Sequence, residues 1–204
     1  MKKLISLFYL LILTSVLFAH EDLLSYAKVL FDDGQYSSSQ SILTNLSSSS
    51  DVTAEILYLN AKCSKELFLS DAILLYDKLE DEFPFHQFKD EMNEDLALIY
   101  YRQKQYNVAI SYLQKINTTS NNLKFKLAYS YFCIDSLNMA KLYFSEIMKL
   151  DSKFAAASQY YYAFISYQFG LYKSALYEFK QLLNDEKFGN IVTYYITQIY
   201  FYNK

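Results

Sequence analysis

Apolar and small residues recur along this chain at spacings of three and four. Five segments share one order: a large residue, a small residue three later, a large apolar residue four after that, and an aliphatic three further on. They are Tyr36-Ser39-Leu43-Leu46, Leu69-Ala72-Tyr76-Leu79, Tyr106-Ala109-Leu113-Ile116, Leu137-Ala140-Phe144-Ile147 and Tyr172-Ala175-Phe179-Leu182. This spacing places each set on one face of a helix. The small residues lie 33, 37, 31 and 35 apart, a mean of 34. Twelve residues before each comes a second short pattern: Tyr26-Ala27, Leu59-Asn60, Leu96-Ala97, Leu127-Ala128 and Tyr162-Ala163. Each unit therefore predicts two short helices joined by a tight turn, three of the turns reading Asp33-Gly34-Gln35, Arg102-Gln103-Lys104 and Phe169-Gly170-Leu171.

The small residues have a steric reason. Two helices of a hairpin approach closely only where a side chain is small, and the large residue four later fills space against the next hairpin. Such hairpins cannot bury their apolar faces alone, so stacking is obligatory. The expected fold is all-α: a helical-hairpin solenoid of five hairpins, at about 22–47, 53–83, 90–116, 121–150 and 155–183, within residues 20–204. A half unit follows at 190–203, IVTYYITQIYFY between two asparagines, with Thr197 thirty-four residues after Ala163. It predicts an unpaired helix that is apolar nearly all round. Such a helix is normally buried, so the chain is expected either to continue into a longer protein or to associate end to end as a homodimer.

These patterns resemble the tetratricopeptide repeat family, whose units are about 34 residues long with W-x2-L-G-x2-Y…A-x3-F…P. Leu96-Ala97-x2-Tyr100 with Ala109-x3-Leu113 fits that pattern, as does Leu127-Ala128-x2-Tyr131 with Ala140-x3-Phe144. Pro84 falls where the family closes its second unit. The departures are Asn60 in a small position, closing prolines missing from four units, and a serine-rich first unit. The resemblance implies a superhelix whose first helices line a concave groove for protein partners.

Composition narrows the alternatives. Only 3 Gly and 1 Pro occur in 204 residues, too few for the turns of an all-β sandwich or the loops of a doubly wound nucleotide fold. A net charge of −3 argues against nucleic acid, which wants a basic face. At the N-terminus, Lys2-Lys3, the uncharged 15-residue run Leu4–Phe18 and Ala19 before His20-Glu21-Asp22 have the layout of a secretory signal peptide, 1–19. The expected product is exported, periplasmic or in a bacterial cell envelope. Its only membrane contact would be through an uncleaved signal segment.

The sequence offers no catalytic or metal constellation. His20 and His86 lack ligand spacing and read as solvated; Cys63 and Cys133 read as buried, unbridged structural thiols. No cofactor motif is present. The eight acids between Asp77 and Asp95 read as a solvated helix end and connector. One feature stands apart. The groove-facing positions of the later units are Tyr101, then Phe125, Tyr129 and Phe132, then Tyr160, Phe164 and Tyr167, then Tyr194 and Phe201. Their early counterparts Leu24, Lys28, Phe31, Leu57, Ala61 and Ser64 are mixed. The rings either pack on one another or form an aromatic cleft for an apolar peptide or protein segment. The expected function is a non-enzymatic, protein-binding scaffold. The alternatives are the sensor or docking part of a longer repeat or signalling protein, or an envelope-assembly factor.

Overall fold

The computed structural model describes residues 21–116 and 120–202. The signal-peptide reading at 1–19 and His20 lie outside them. Within the described residues there are eleven helices and no strand. They are α1 (21–32), α2 (Tyr36–Leu46), α3 (Ala54–Glu66), α4 (Ala72–Glu82), α5 (Lys89–Arg102), α6 (Tyr106–Leu113), α7 (Asn121–Cys133), α8 (Leu137–Ile147), α9 (Ala155–Gln168), α10 (Tyr172–Gln181) and α11 (Gly189–Tyr202). The fold class is the expected one: helical hairpins α1/α2 to α9/α10, followed by α11. The chain forms two compact units, one ending at Asp95 and the next beginning at Leu96, within α5.

In the unit ending at Asp95, α2 packs on α3 and α3 on α4. The small positions do what their size requires: Ala27, Ser39, Asn60 and Ala72 are all buried. Two of them are polar and both find partners. The Ser39 hydroxyl donates to the Ala27 carbonyl at 2.8 Å, tying α2 to α1. Asn60, the misfit in the repeat, donates to the Ser47 hydroxyl at 3.3 Å and accepts from Thr44 at 3.5 Å. A buried amide is tolerated when its hydrogen bonds are made.

In the unit beginning at Leu96, α6 to α11 pack each on the next. Ala97, Ala128 and Ala140 lie in one buried cluster and Ala163 and Ala175 in another, and Ala109 is buried as well. Phe144 and Phe179, each four residues after a small position, are fully buried. Burying one such ring contributes about 1.5–3 kcal/mol.

All five hairpin turns close in the same way, including two that the sequence did not announce. The amide five residues on returns to a carbonyl in the last turn of the first helix: Gln35 to Leu30, Leu69 to Ser64, Gln105 to Tyr100, Ser136 to Tyr131 and Leu171 to Ser166, at 2.8–2.9 Å. This six-to-one closure needs a left-handed residue just before the donor. Those residues are Gly34, Phe68, Lys104, Asp135 and Gly170, with φ of 75°, 57°, 59°, 60° and 71°. Only two of the five are glycine.

Three readings of single residues need correction. Cys133 is exposed, not buried; it is the last residue of α7 and lies past the face that packs. The His86 side chain has no exposed surface. The connector after α4 folds back, so that Nδ1 accepts from the Phe88 amide at 3.1 Å while Nε2 sits 3.4 Å from Glu80. Asp95, the last of the acidic run, is buried.

Candidate aromatic interface

The seven candidate rings on α5, α7 and α9 are half-buried, whereas Tyr194 and Phe201 on α11 are exposed. Helix periodicity places them: each of α7 and α9 offers a ring at three before, one after and four after its small residue, Ala128 or Ala163. These offsets share a face.

The rings join from helix to helix. Tyr101 of α5 lies 6.2 Å, centroid to centroid, from Tyr129 of α7. Phe132 of α7 lies 6.0 Å from Phe164 of α9. Phe164 in turn lies 5.5 Å from Tyr195 of α11. Within a helix, Phe125 stacks beside Tyr129 at 6.4 Å and Tyr160 beside Phe164 at 6.2 Å. Tyr167 and Tyr194 each lie 5.3 Å from Tyr195. These separations suit offset and edge-to-face pairing, each worth about 0.5–1.5 kcal/mol beyond area burial.

Two rings at the centre of this seam escaped the sequence reading. Tyr161 touches Phe125, Tyr129, Phe132 and Tyr160 and stacks on the buried Phe144 at 5.0 Å. Tyr195 does the same one unit later, stacking on Phe179 at 5.3 Å. Both stand two residues before a repeat's small position, Ala163 or Thr197. The signal was present as the doublets Tyr160-Tyr161 and Tyr194-Tyr195. Each doublet supplies one ring on the counted face and one directed between consecutive hairpins.

The phenols are held neutral. Burial, and then the neighbouring Tyr129, push Tyr161 up to about 12. Burial is also the first cause raising Tyr101, Tyr129 and Tyr160. The Cys133 thiol lies within hydrogen-bonding reach of the Tyr106 and Tyr129 hydroxyls at the seam's edge. Lys126 lays its ammonium 4.4 Å from the centroid of Tyr101. Burial, followed by repulsion from Arg102, lowers its pKa. A desolvated cation over a ring is stabilised by the ring quadrupole.

The early counterparts build something different. Leu57, Ala61 and Ser64 are buried, and Ser64 accepts a hydrogen bond from Gln40. Beside them Asp95 takes Lys65 at 2.7 Å on one oxygen and the Tyr76 hydroxyl at 2.7 Å on the other. Among the described residues no group of three or more His, Cys, Asp or Glu is placed to hold a metal, and no helix is long and apolar enough to cross a membrane. A separate cleft of about 560 Å³ opens at the start of α10, lined by Lys141, Tyr162 and Gly170 to Ser174. It contains none of the nine candidate rings.

No family model and no curated protein matches the sequence. Solved structures do match it in fold. The chain is similar to MamA of AMB-1, with a TM-score of 0.67 and 18% identity over 84% of this chain and 91% of that one. It is also similar to MamA (41-end) from Desulfovibrio magneticus RS-1, with a TM-score of 0.64 and 15% identity over 82% and 95%. A third match is a Podosopora anserina kinesin light chain described by its nearly identical TPR-like repeats, with a TM-score of 0.55 and 14% identity over 79% and 92%. At such identities the likeness is one of fold, and the fold is TPR-like.

Proposed function

We propose that this chain is an exported, non-enzymatic scaffold that binds an apolar protein or peptide segment along the aromatic seam of α5, α7, α9 and α11. One observation carries the reading: rings fill this helix face in successive hairpins of the second unit, whereas in the first unit α3 fills it with Leu57, Ala61 and Ser64 and α1 with Leu24, Lys28 and a single ring, Phe31. Stacking alone does not demand rings at these positions, because α3 packs on α2 and on α4 with none of its three positions aromatic. Tyr and Phe bury large areas with few rotamers to lose, which suits a recognition surface. Half-buried rings also arrive pre-ordered by their neighbours, so a ligand need not immobilise them. The same reading places the protein in the periplasm or cell envelope, since Lys2-Lys3, Leu4–Phe18 and Ala19 have the order of a cleaved leader. Self-association through the apolar α11 belongs to it as well.

The test is selection of apolar peptides on the purified protein, followed by amide shift mapping of the best binder. Perturbations gathered on Phe132, Phe164 and Tyr167 are expected. Perturbations confined to α8 and α10, or no selectable apolar peptide, would overturn the seam as the binding surface. For export, mass spectrometry of the mature protein is expected to place the N-terminus at His20; an intact Met1 in the membrane fraction is the contrary result.

A further inference from the structure

The connector between α4 and α5 holds up a ring that touches almost nothing. Phe85 is 99% exposed, whereas the next most exposed large apolar residue among those described, Phe68, is 76% exposed. The turn beneath it is ordered. The His86 amide donates to the Phe83 carbonyl at 3.0 Å, three residues back, and Pro84 takes the second position, where its fixed φ suits such a turn. His86 anchors the far side, since its buried ring accepts from the Phe88 amide and faces Glu80. Five acids lie within six residues of Phe85, namely Glu80, Asp81, Glu82, Asp90 and Glu91, against Lys89. Asp81, Asp90 and Glu91 are exposed and enter no ion pair among the described residues. The chain therefore presents a preformed aromatic knob in an acidic setting. A solvated ring gains by burial, and an ordered turn loses little freedom when it binds.

A recess of the matching kind is the cleft at the start of α10. Its volume is about 560 Å³, and Tyr162, Leu171 and Tyr172 line it together with Lys141 and Lys173. A cavity of about 150 Å³ already holds benzene, so a phenyl ring enters with room to spare. Among the described residues no acid lines it. Lys141 is placed by ring faces, its Nζ 4.9 Å from the centroid of Tyr162 and 5.9 Å from that of Phe169. An ammonium held over a ring keeps N–H groups for a carboxylate. Neither lysine enters an ion pair among the described residues. Two other clefts fit less well. One of about 450 Å³ is lined by Asp185 and Glu186, which would repel the turn, and one of about 230 Å³ offers a single cation, Lys124.

We infer that the Phe85 turn of one molecule docks in the α10 cleft of a second copy, its ring buried in the cleft and its flanking carboxylates meeting Lys141 and Lys173. Charge complementarity selects the partner: an acidic knob needs a basic, apolar recess, and each copy carries one of each. The contact is separate from the aromatic seam, none of whose nine rings lines the cleft. It is heterologous, so it joins two different faces and builds a ring or an open chain. One ring and a few exposed ion pairs make a small interface, expected to form at roughly 0.1–1 mM protein. Exposed charges contribute to it, so added salt weakens it.

The test uses the purified protein, its Phe85→Ala variant and its Lys141→Glu, Lys173→Glu double variant, each sedimented over a concentration series at two salt levels. Phe85 is solvated, so Phe85→Ala should keep its helical circular dichroism; if the lysine variant does not, Phe85→Ala decides alone. The wild type is expected to grow in mass with concentration, and less so at high salt. Each variant should need about tenfold more protein, or above, to reach the same mass. A mixture of the two variants should form a dimer and stop there, because one retains the cleft and the other the knob. Phe85→Ala associating like the wild type would show that the knob is not in the contact, and the lysine variant doing so would show the same of the cleft. Either result sinks the inference, as does a wild type that stays monomeric throughout or associates more strongly as salt rises. Association that neither variant reduces runs through another surface, such as α11, and overturns the inference while leaving the seam untouched.

Discussion

Replacing Phe68 with glycine should stabilise the protein, and replacing Gly34 with alanine should destabilise it, although both residues do the same job. Each is the left-handed residue before the amide that closes a hairpin, Leu69 to Ser64 and Gln35 to Leu30, both within 2.8–2.9 Å. For a residue with a Cβ the left-handed region costs roughly 1–2 kcal/mol. Glycine escapes that cost but gives the unfolded chain more freedom, worth about 0.4–1 kcal/mol. The difference leaves a gain of about 0.5–1 kcal/mol for Phe68→Gly. The ring is 76% exposed, so little burial is lost with it. At Gly34 an added Cβ meets no atom within 4 Å. The penalty for Gly34→Ala is therefore backbone alone, about 1 kcal/mol. Urea titration followed by helical circular dichroism measures both, and the two midpoints should move in opposite directions. Destabilisation by Phe68→Gly would refute the reasoning, because the backbone would then not be strained at that turn. A neutral Gly34→Ala would show the same for the first hairpin.

Further outcomes follow from the interior. Asp95→Asn removes the charge shared by Lys65 and Tyr76 and should cost about 1–3 kcal/mol in urea unfolding; Lys65 keeps Glu66 at 2.7 Å, which holds the loss to that range. Tyrosinate absorbance should lag in the native protein: Tyr161 has its ordinary value of 10.0 when unfolded and about 12 when folded. Its contribution to stability is complete below pH 10 and is lost as the pH rises towards 12, so alkaline unfolding and late ionisation should coincide. In a thiol-labelling assay, Cys133 should react in the native state and Cys63, whose thiol burial pushes up, only on unfolding.

The repeat was legible because it is a demand of size. A helix crossing admits Ala or Ser whatever surrounds it, so Ala97, Ala109, Ala128, Ala140, Ala163 and Ala175 mark the hairpins directly. The turns at Phe68 and Asp135 were illegible because a left-handed residue is not required to be glycine, and nothing local distinguishes a phenylalanine held there by a closing hydrogen bond. Tyr161 and Tyr195 were missed for another reason. Counting residues on one helix face ignores rings directed between hairpins, and those are visible only once helices from successive units are brought together. Burial of His86 and Asp95 depends on a connector folding back and on a partner thirty residues away, Lys65, neither of which periodicity encodes.

The two units answer the same geometric demand with different chemistry, and that difference bears on function. Beside the first-helix positions, the unit ending at Asp95 uses directional polar contacts: Gln40 to Ser64, Lys65 and Tyr76 to Asp95, Asn60 to Ser47. Each fixes one arrangement, and each is costly to leave half-made. The unit beginning at Leu96 uses rings, whose pairing tolerates several separations and tilts. A face of half-buried rings can shift by small amounts to accept an added apolar side chain without leaving a polar group unsatisfied. A polar junction cannot. A binding surface is therefore better placed on α7 and α9 than on α3, and the polar unit is better suited to holding one conformation. Exchange protection should follow this division: when an apolar peptide binds, slowing should be concentrated in the amides of α7, α9 and α11, with those of α3 and α4 unchanged. Equal slowing in both units would mean that the rings are glue alone.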